Sequence, residues 1–163
     1  MEGPRYIPGD VVTPDDLAGA LRVDHAGEFG ATRIYKGQWA ACKDPHARNL
    51  IAHMGAQEEV HLQFFAQALP KEEVRPTILH PLWKGLGFLL GYGTAKMGPQ
   101  AAMACTVAIE ETIDAHYQNR IACLSEEHPA LAGQLEIFRQ EELEHRDTAL
   151  DEGAEEIPHY SLL

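Results

Sequence analysis

The chain has 163 residues, 45% hydrophobic and 23% charged, an ordinary globular composition long enough to bury a sizeable core in one domain. A formal charge of −12 excludes a phosphate backbone as partner, because nucleic-acid binders carry basic stripes. Cys42, Cys105 and Cys123 are odd in number, widely spaced and without a CxxC pair, which points to a reducing compartment and away from a thiolate metal site.

The first residues, MEGPRYIPGDVV, carry neither the basic nor the apolar stretch of a signal peptide. Thr13-Pro14-Asp15-Asp16 combines an N-cap residue, a proline at the first helical position and acids in the first turn, so a helix is expected over about 14–43. Asp44-Pro45 repeats the signal for a second helix, 46–69, stopped by Pro70. Gly98-Pro99 opens a third over 99–126, and His128-Pro129 a fourth over 130–153. No alternating β-branched run competes with them. The expected fold is therefore all-α, a four-helix bundle forming one domain over 1–163.

Between the second and third helices lies an apolar crossover, 71–96, whose centre GLGFLLGYGTA (85–95) is rich in glycine. Eleven residues cannot span a bilayer, which needs about 20. The segment carries a net charge of +2 within an acidic chain. Apolar and basic together, residues 78–95 suit peripheral contact with a lipid surface, and a buried intramolecular or homo-oligomeric interface is the alternative.

The stretch EELEHRD (141–147) packs four carboxylates around His145, although like charges one turn apart repel by a few tenths of a kcal/mol. QEEVHL (57–62) is its relative. Several acids precede each histidine, but only the i, i+3 spacing is common to both, giving Glu58-x-x-His61 and Glu142-x-x-His145 on one helix face each. The first helix of each half adds a glutamate, Glu28 thirty residues before Glu58 and Glu110 thirty-two before Glu142. Glu111 competes with Glu110, but Tyr35 and Tyr117 fall seven residues after Glu28 and Glu110, which favours Glu110.

A glutamate from each of two helices and a Glu-x-x-His from each of two others is the donor set of ferritin-like di-metal carboxylate proteins. Two divalent ions would neutralise the carboxylates that otherwise repel. Oxygen and imidazole donors without thiolate suit redox-active iron, with manganese second. Glycine-rich phosphate cradles and acyl-transfer motifs are missing from the sequence. Of the remaining histidines, His46, His53, His128 and His159 are expected on outer faces and His80 in the crossover. His25 and His116 could serve the site from its edge or face a substrate, and Asp24 and Asp114 could orient a ligand histidine.

RVDHAGEFGATRIYKGQ (22–38), RPTILHPLWKGLGFLLGYGTA (75–95), AMACTVAIEETIDAHY (102–117) and EELEHRD (141–147) closely resemble the demethoxyubiquinone hydroxylase family. The resemblance implies a ferritin-like di-iron monooxygenase of ubiquinone biosynthesis that hydroxylates the ring of a polyprenyl methoxy-methyl-benzoquinone. The family's ligand pattern falls on Glu28, Glu58, His61, Glu110, Glu142 and His145. It also implies O2 as cosubstrate, NADH as electron donor through an unassigned site, and partner proteins of the same biosynthesis. Location follows as the cytoplasmic face of a bacterial inner membrane or the matrix face of the mitochondrial one. Tyr117 and His116 are candidates for quinone contact or proton delivery. Family members continue with a further amphipathic stretch where this chain stops at HYSLL; a truncation there would weaken membrane attachment and nicotinamide use while sparing the metals. A ferroxidase or peroxide reductase of the same bundle class, and a non-catalytic quinone or lipid carrier, are the competing functions.

Overall fold

The computed structural model describes residues 17–158 and 160. Five α-helices follow one another, α1 (Leu17–Ala41), α2 (Pro45–Lys71), α3 (His80–Met97), α4 (Pro99–Leu124) and α5 (Pro129–Asp151), with a 3-10 turn at Ala154–Glu156. Among the described residues there is no strand, and the architecture is a ferritin-like helical bundle. Two hairpins, α1–α2 and α4–α5, form the core, and α3 lies along α1 on the way from one to the other. The proposed cap at Thr13–Asp16 lies outside the described residues, as does His159.

Local chemistry sets most boundaries. Asp44 caps α2 by accepting from the Ala47 N–H at 2.8 Å, with Pro45 at the first helical position. Pro99 and Pro129 likewise stand at the start of α4 and α5, there without a side-chain cap. Gly98, between α3 and α4, holds φ +134°, a conformation open to glycine.

Pro70 does not stop α2, which continues through it to Lys71. The helix ends instead in a Schellman arrangement: Val74 N–H donates to the Leu69 carbonyl at 2.8 Å and Glu73 N–H to that of Pro70 at 3.3 Å. Glu73 takes the left-handed position, φ +56°, that glycine usually fills. Val74 and Leu69 are buried in the same apolar cluster, the contact that accompanies this motif.

The crossover is itself a helix, and an inverted one. Only Gly87, Gly91 and Ala95 of α3 are buried, while Leu82, Trp83, Leu86, Leu89 and Leu90 are exposed. The glycines allow close approach to α1. A Cβ on Gly87 would sit 3.1 Å from the Gly30 carbonyl, and one on Gly91 would collide with the Ile34 backbone. Small residues therefore pack inward and large apolar ones face out.

Two apolar clusters fill the bundle. One gathers Tyr35, Ile51, Met54, Met103, Val107 and Ala149, and the other Leu21, Phe65, Leu69, Tyr117, Leu135 and Phe138. Complete burial of a side chain such as Phe65 or Leu135 contributes about 1.5 to 3 kcal/mol. Along α1, α2, α4 and α5 the residues of one cluster precede the conspicuous glutamates and those of the other follow them. A polar layer is thus held between two apolar ones.

Candidate metal centre

Glu28 on α1, Glu58 and His61 on α2, Glu110 on α4, and Glu142 and His145 on α5 meet in that layer, each at most 3% exposed. Their donor atoms form two groups, each with all atoms within 4.8 Å of one another. One group is Glu28, Glu58, His61 and Glu142, and the other Glu58, Glu110, Glu142 and His145. Glu58 and Glu142 belong to both. Glu111, the alternative to Glu110, is exposed.

Both imidazoles turn Nδ1 inward. His61 Nδ1 lies 3.0 Å from Glu142 and 3.7 Å from Glu28. His145 Nδ1 lies 3.2 Å from Glu58, 3.3 Å from Glu142 and 3.8 Å from Glu110. The outward Nε2 atoms are held across the bundle: His61 to Glu141 at 2.6 Å, and His145 to Gln57 at 3.0 Å. The tyrosines cross in the same way. Tyr35 of α1 donates its hydroxyl to Glu110 of α4, and Tyr117 of α4 donates to Glu28 of α1. The two halves thus interlock through equivalent contacts.

Burial without a cation is costly for such a set. Desolvation, then the charge of Glu142, raises the Glu28 carboxyl above its ordinary range. Glu58 and Glu110 are pushed well above it, again by burial first and by neighbouring carboxylates second. Glu142 moves the other way: burial opposes its ionisation, but the adjacent imidazoles of His145 and His61 outweigh this and hold it low. His61 rises to about 11: burial opposes its cation, but the adjacent carboxylates of Glu142 and Glu28 overcome that desolvation. Tyr35 and Tyr117 are raised by burial and by adjacent carboxylates and stay protonated as donors.

Fit to metal can be judged from atoms left unmatched. Glu28 Oε2, Glu110 Oε2, both oxygens of Glu58 and of Glu142, and Nδ1 of His61 and of His145 are buried without a hydrogen-bond partner. Buried polar atoms are ordinarily satisfied. These eight, all hard or borderline donors, suit two divalent cations.

Residues 15–163 match the family model for ubiquinone biosynthesis protein COQ7. The chain belongs to that family. It is 50% identical over 147 residues to the mouse "NADPH-dependent 3-demethoxyubiquinone 3-hydroxylase, mitochondrial", covering 88% of this chain and 68% of that one. The human protein of the same name is also 50% identical over 147 residues, with the same coverage. The "3-demethoxyubiquinol 3-hydroxylase" of Rhodospirillum rubrum is 46% identical over 158 residues, 96% of this chain and 74% of its own.

Within this COQ7-family chain the other singled-out residues fall into distinct places. His116 Nε2 lies 2.6 Å from Asp24, beside Tyr117 in sequence and with its side chain a third exposed. Asp24 therefore holds His116, and Asp114 pairs with Arg139 at 2.7 Å. Neither orients His61 or His145, contrary to expectation. Glu141 and Gln57 do so. Each stands directly before a motif glutamate and four residues before a motif histidine, so the signal was one of position. Those two side chains reach the histidine of the other half, which no spacing within one helix reveals. His25 is buried and stacks on His80 at 5.0 Å, which in turn stacks on Phe29, and burial lowers it to about 4. His46 pairs with Glu152 on the surface, and His53 is exposed.

A cavity of about 1050 Å³ lies between α1, α3 and α4, with an apolar lining. Its walls include Ala31 and Ile113, one turn along the same helix faces from Glu28 and Glu110, and Trp83, Leu86 and Leu90 of α3. It therefore lies against the outward apolar helix, one helical turn from Glu28 and Glu110, which do not themselves line it.

Proposed function

We propose that the chain is one ferritin-like domain holding two iron ions and hydroxylating the ring of a polyprenyl methoxy-methyl-benzoquinone in ubiquinone biosynthesis. The observation that carries this reading is the set of eight unpartnered buried donor atoms, beside an apolar cavity, in a COQ7-family chain. Bound there, iron would supply the redox chemistry that activates dioxygen.

The chain's own residues set the conditions for that chemistry. His61 and His145 would anchor one ion each through Nδ1. Glu58 and Glu142, common to both groups, would help to hold both ions, and Glu28 and Glu110 one each. Tyr117 and Tyr35 fix those two carboxylates by donating to one oxygen and leaving the other free. The cavity would take the quinone ring and exclude water, with its tail leaving along α3. Of the two candidates for proton delivery, His116 would exchange protons with solvent at Nε2, and Tyr117 would hold one against Glu28.

A nicotinamide dinucleotide is the proposed electron donor. The mouse and human relatives are named for NADPH, whereas the sequence suggested NADH by family resemblance, so both are to be compared. No helix among the described residues is long and apolar enough to cross a membrane. The outward side chains of α3 support a peripheral contact with the inner membrane instead, through about residues 78–95. Homo-oligomers and partner proteins of the same biosynthesis belong to this reading.

Iron-loaded protein incubated with a short-tailed demethoxyquinone, oxygen and either NADH or NADPH should yield a quinone heavier by one oxygen, seen by mass spectrometry. Absence of that product with both donors, in protein that has retained iron, would refute the assignment.

A further inference from the structure

The crossed contacts around the carboxylate layer are equivalent in the two halves except at one pair. Tyr35 and Tyr117 perform the same task for Glu110 and Glu28. The histidines do not receive the same acceptor. His61 Nε2 donates to a carboxylate, Glu141, at 2.6 Å, and His145 Nε2 donates to an amide oxygen, Gln57, at 3.0 Å. Both contacts leave Nδ1, the atom facing the carboxylates, without a partner.

Charge-assisted hydrogen bonds are shorter and roughly twice as strong as neutral ones. An anionic acceptor at Nε2 draws that proton outward and makes Nδ1 the better donor to a metal, whereas an amide does so weakly. Changes to such outer partners typically alter metal affinity by about 10- to 100-fold.

We propose that Glu141 and Gln57 make the two metal positions unequal, so that the position at His61 binds the tighter ion and fills first. The inference rests on the two-metal reading above. Glu141 is a positioning residue: it acts on the metal through His61, and its own charge stays at the edge, 35% exposed. The order of filling is written into one sequence difference between the repeats, glutamate before Glu142 and glutamine before Glu58.

Anaerobic titration of metal-free protein with Co(II) tests this, using calorimetry for the steps and paramagnetically shifted imidazole N–H signals for the site. The two rings are told apart by their neighbours, Phe138 at 4.1 Å from His61 and Tyr35 at 6.2 Å from His145. The parent should bind two ions in separate steps, with the His61 signal first. Glu141→Gln should weaken the first step about tenfold and merge it with the second. The swapped variant, Gln57→Glu with Glu141→Gln, keeps size and total charge and should reverse the order. Two ions bound with simultaneous filling in the parent, or an unchanged order in the swap, would overturn the inference alone. A parent that binds no cobalt would overturn the two-metal reading and this inference with it.

Discussion

Removing the proposed metals should expose the repulsion within the carboxylate layer. An ion that binds only the folded chain stabilises it by about 2.7 kcal/mol at a hundredfold excess over Kd, so two such ions contribute roughly 5 kcal/mol. In a domain of this size each kcal/mol moves Tm by about 2 to 4 °C, so chelation at pH 7 should lower Tm by roughly 10 to 20 °C. The gap should depend on pH with a definite sign. Glu28, Glu58 and Glu110 have folded pKa values above the ordinary 4.5, so the metal-free folded chain keeps protons that the unfolded chain has released. Its stability then falls as pH rises above that value, by about 1.4 kcal/mol per pH unit for each retained proton. His61 acts in the same direction: its stabilising charge is fully present below 6.5 and is lost progressively as pH rises toward about 11. Glu142 acts oppositely, since its lowered pKa contributes stability that disappears only in stronger acid. Metal-free protein should therefore be most stable near pH 5 and weaken toward pH 8. Metal-loaded protein gains least in acid, where protons compete for the donors. Thermal melts of both forms from pH 5 to 8 measure this directly. Coincident curves at pH 7, or metal-free protein that strengthens from pH 5 to 8, would refute the reasoning.

Three other perturbations separate parts of the account. Glu142→Ala should abolish turnover and lower bound iron, while Glu144→Ala, at an exposed position of the same helix, should leave both nearly unchanged; equal damage would invalidate the i, i+3 register. Leu89→Glu with Leu90→Glu, at positions 65% and 50% exposed, should reduce cosedimentation with liposomes without releasing iron. Unchanged cosedimentation would assign the apolar face of α3 to a protein interface. Glu73→Gly relieves a left-handed residue and should stabilise the chain by about 0.5 to 1 kcal/mol, or roughly 2 °C in Tm, against a loss of similar size if the Schellman arrangement is not formed.

The helices and the carboxylate layer were legible because both depend on short-range rules. Proline and N-cap signals mark the starts of α2, α4 and α5. The i, i+3 spacing alone assembles Glu58, His61, Glu142 and His145 on inward faces. Other features depend on contacts between distant segments. The apolar and basic character of residues 78–95 suggested a lipid-facing stretch, but composition cannot say which face of α3 is small because it meets another helix. Gly91 is small because the Ile34 backbone lies against it. The end of α2 was misplaced because Pro70 is the louder signal, although the ladder can pass a proline in the last turn and Glu73 completes the stop. Asp24 and Asp114 were chosen by proximity along one helix, whereas Glu141 and Gln57 act across the bundle on the opposite histidine.

Everything proposed for this chain depends on six residues from four helices holding two metal ions between them. Elemental analysis of protein loaded anaerobically with Fe(II) and freed of excess ion tests it most directly, with Glu58→Ala beside the parent, because Glu58 belongs to both donor groups. Two iron ions per parent chain and less than one in the variant are expected. A parent that retains no iron, or a variant that retains as much as the parent, would contradict it.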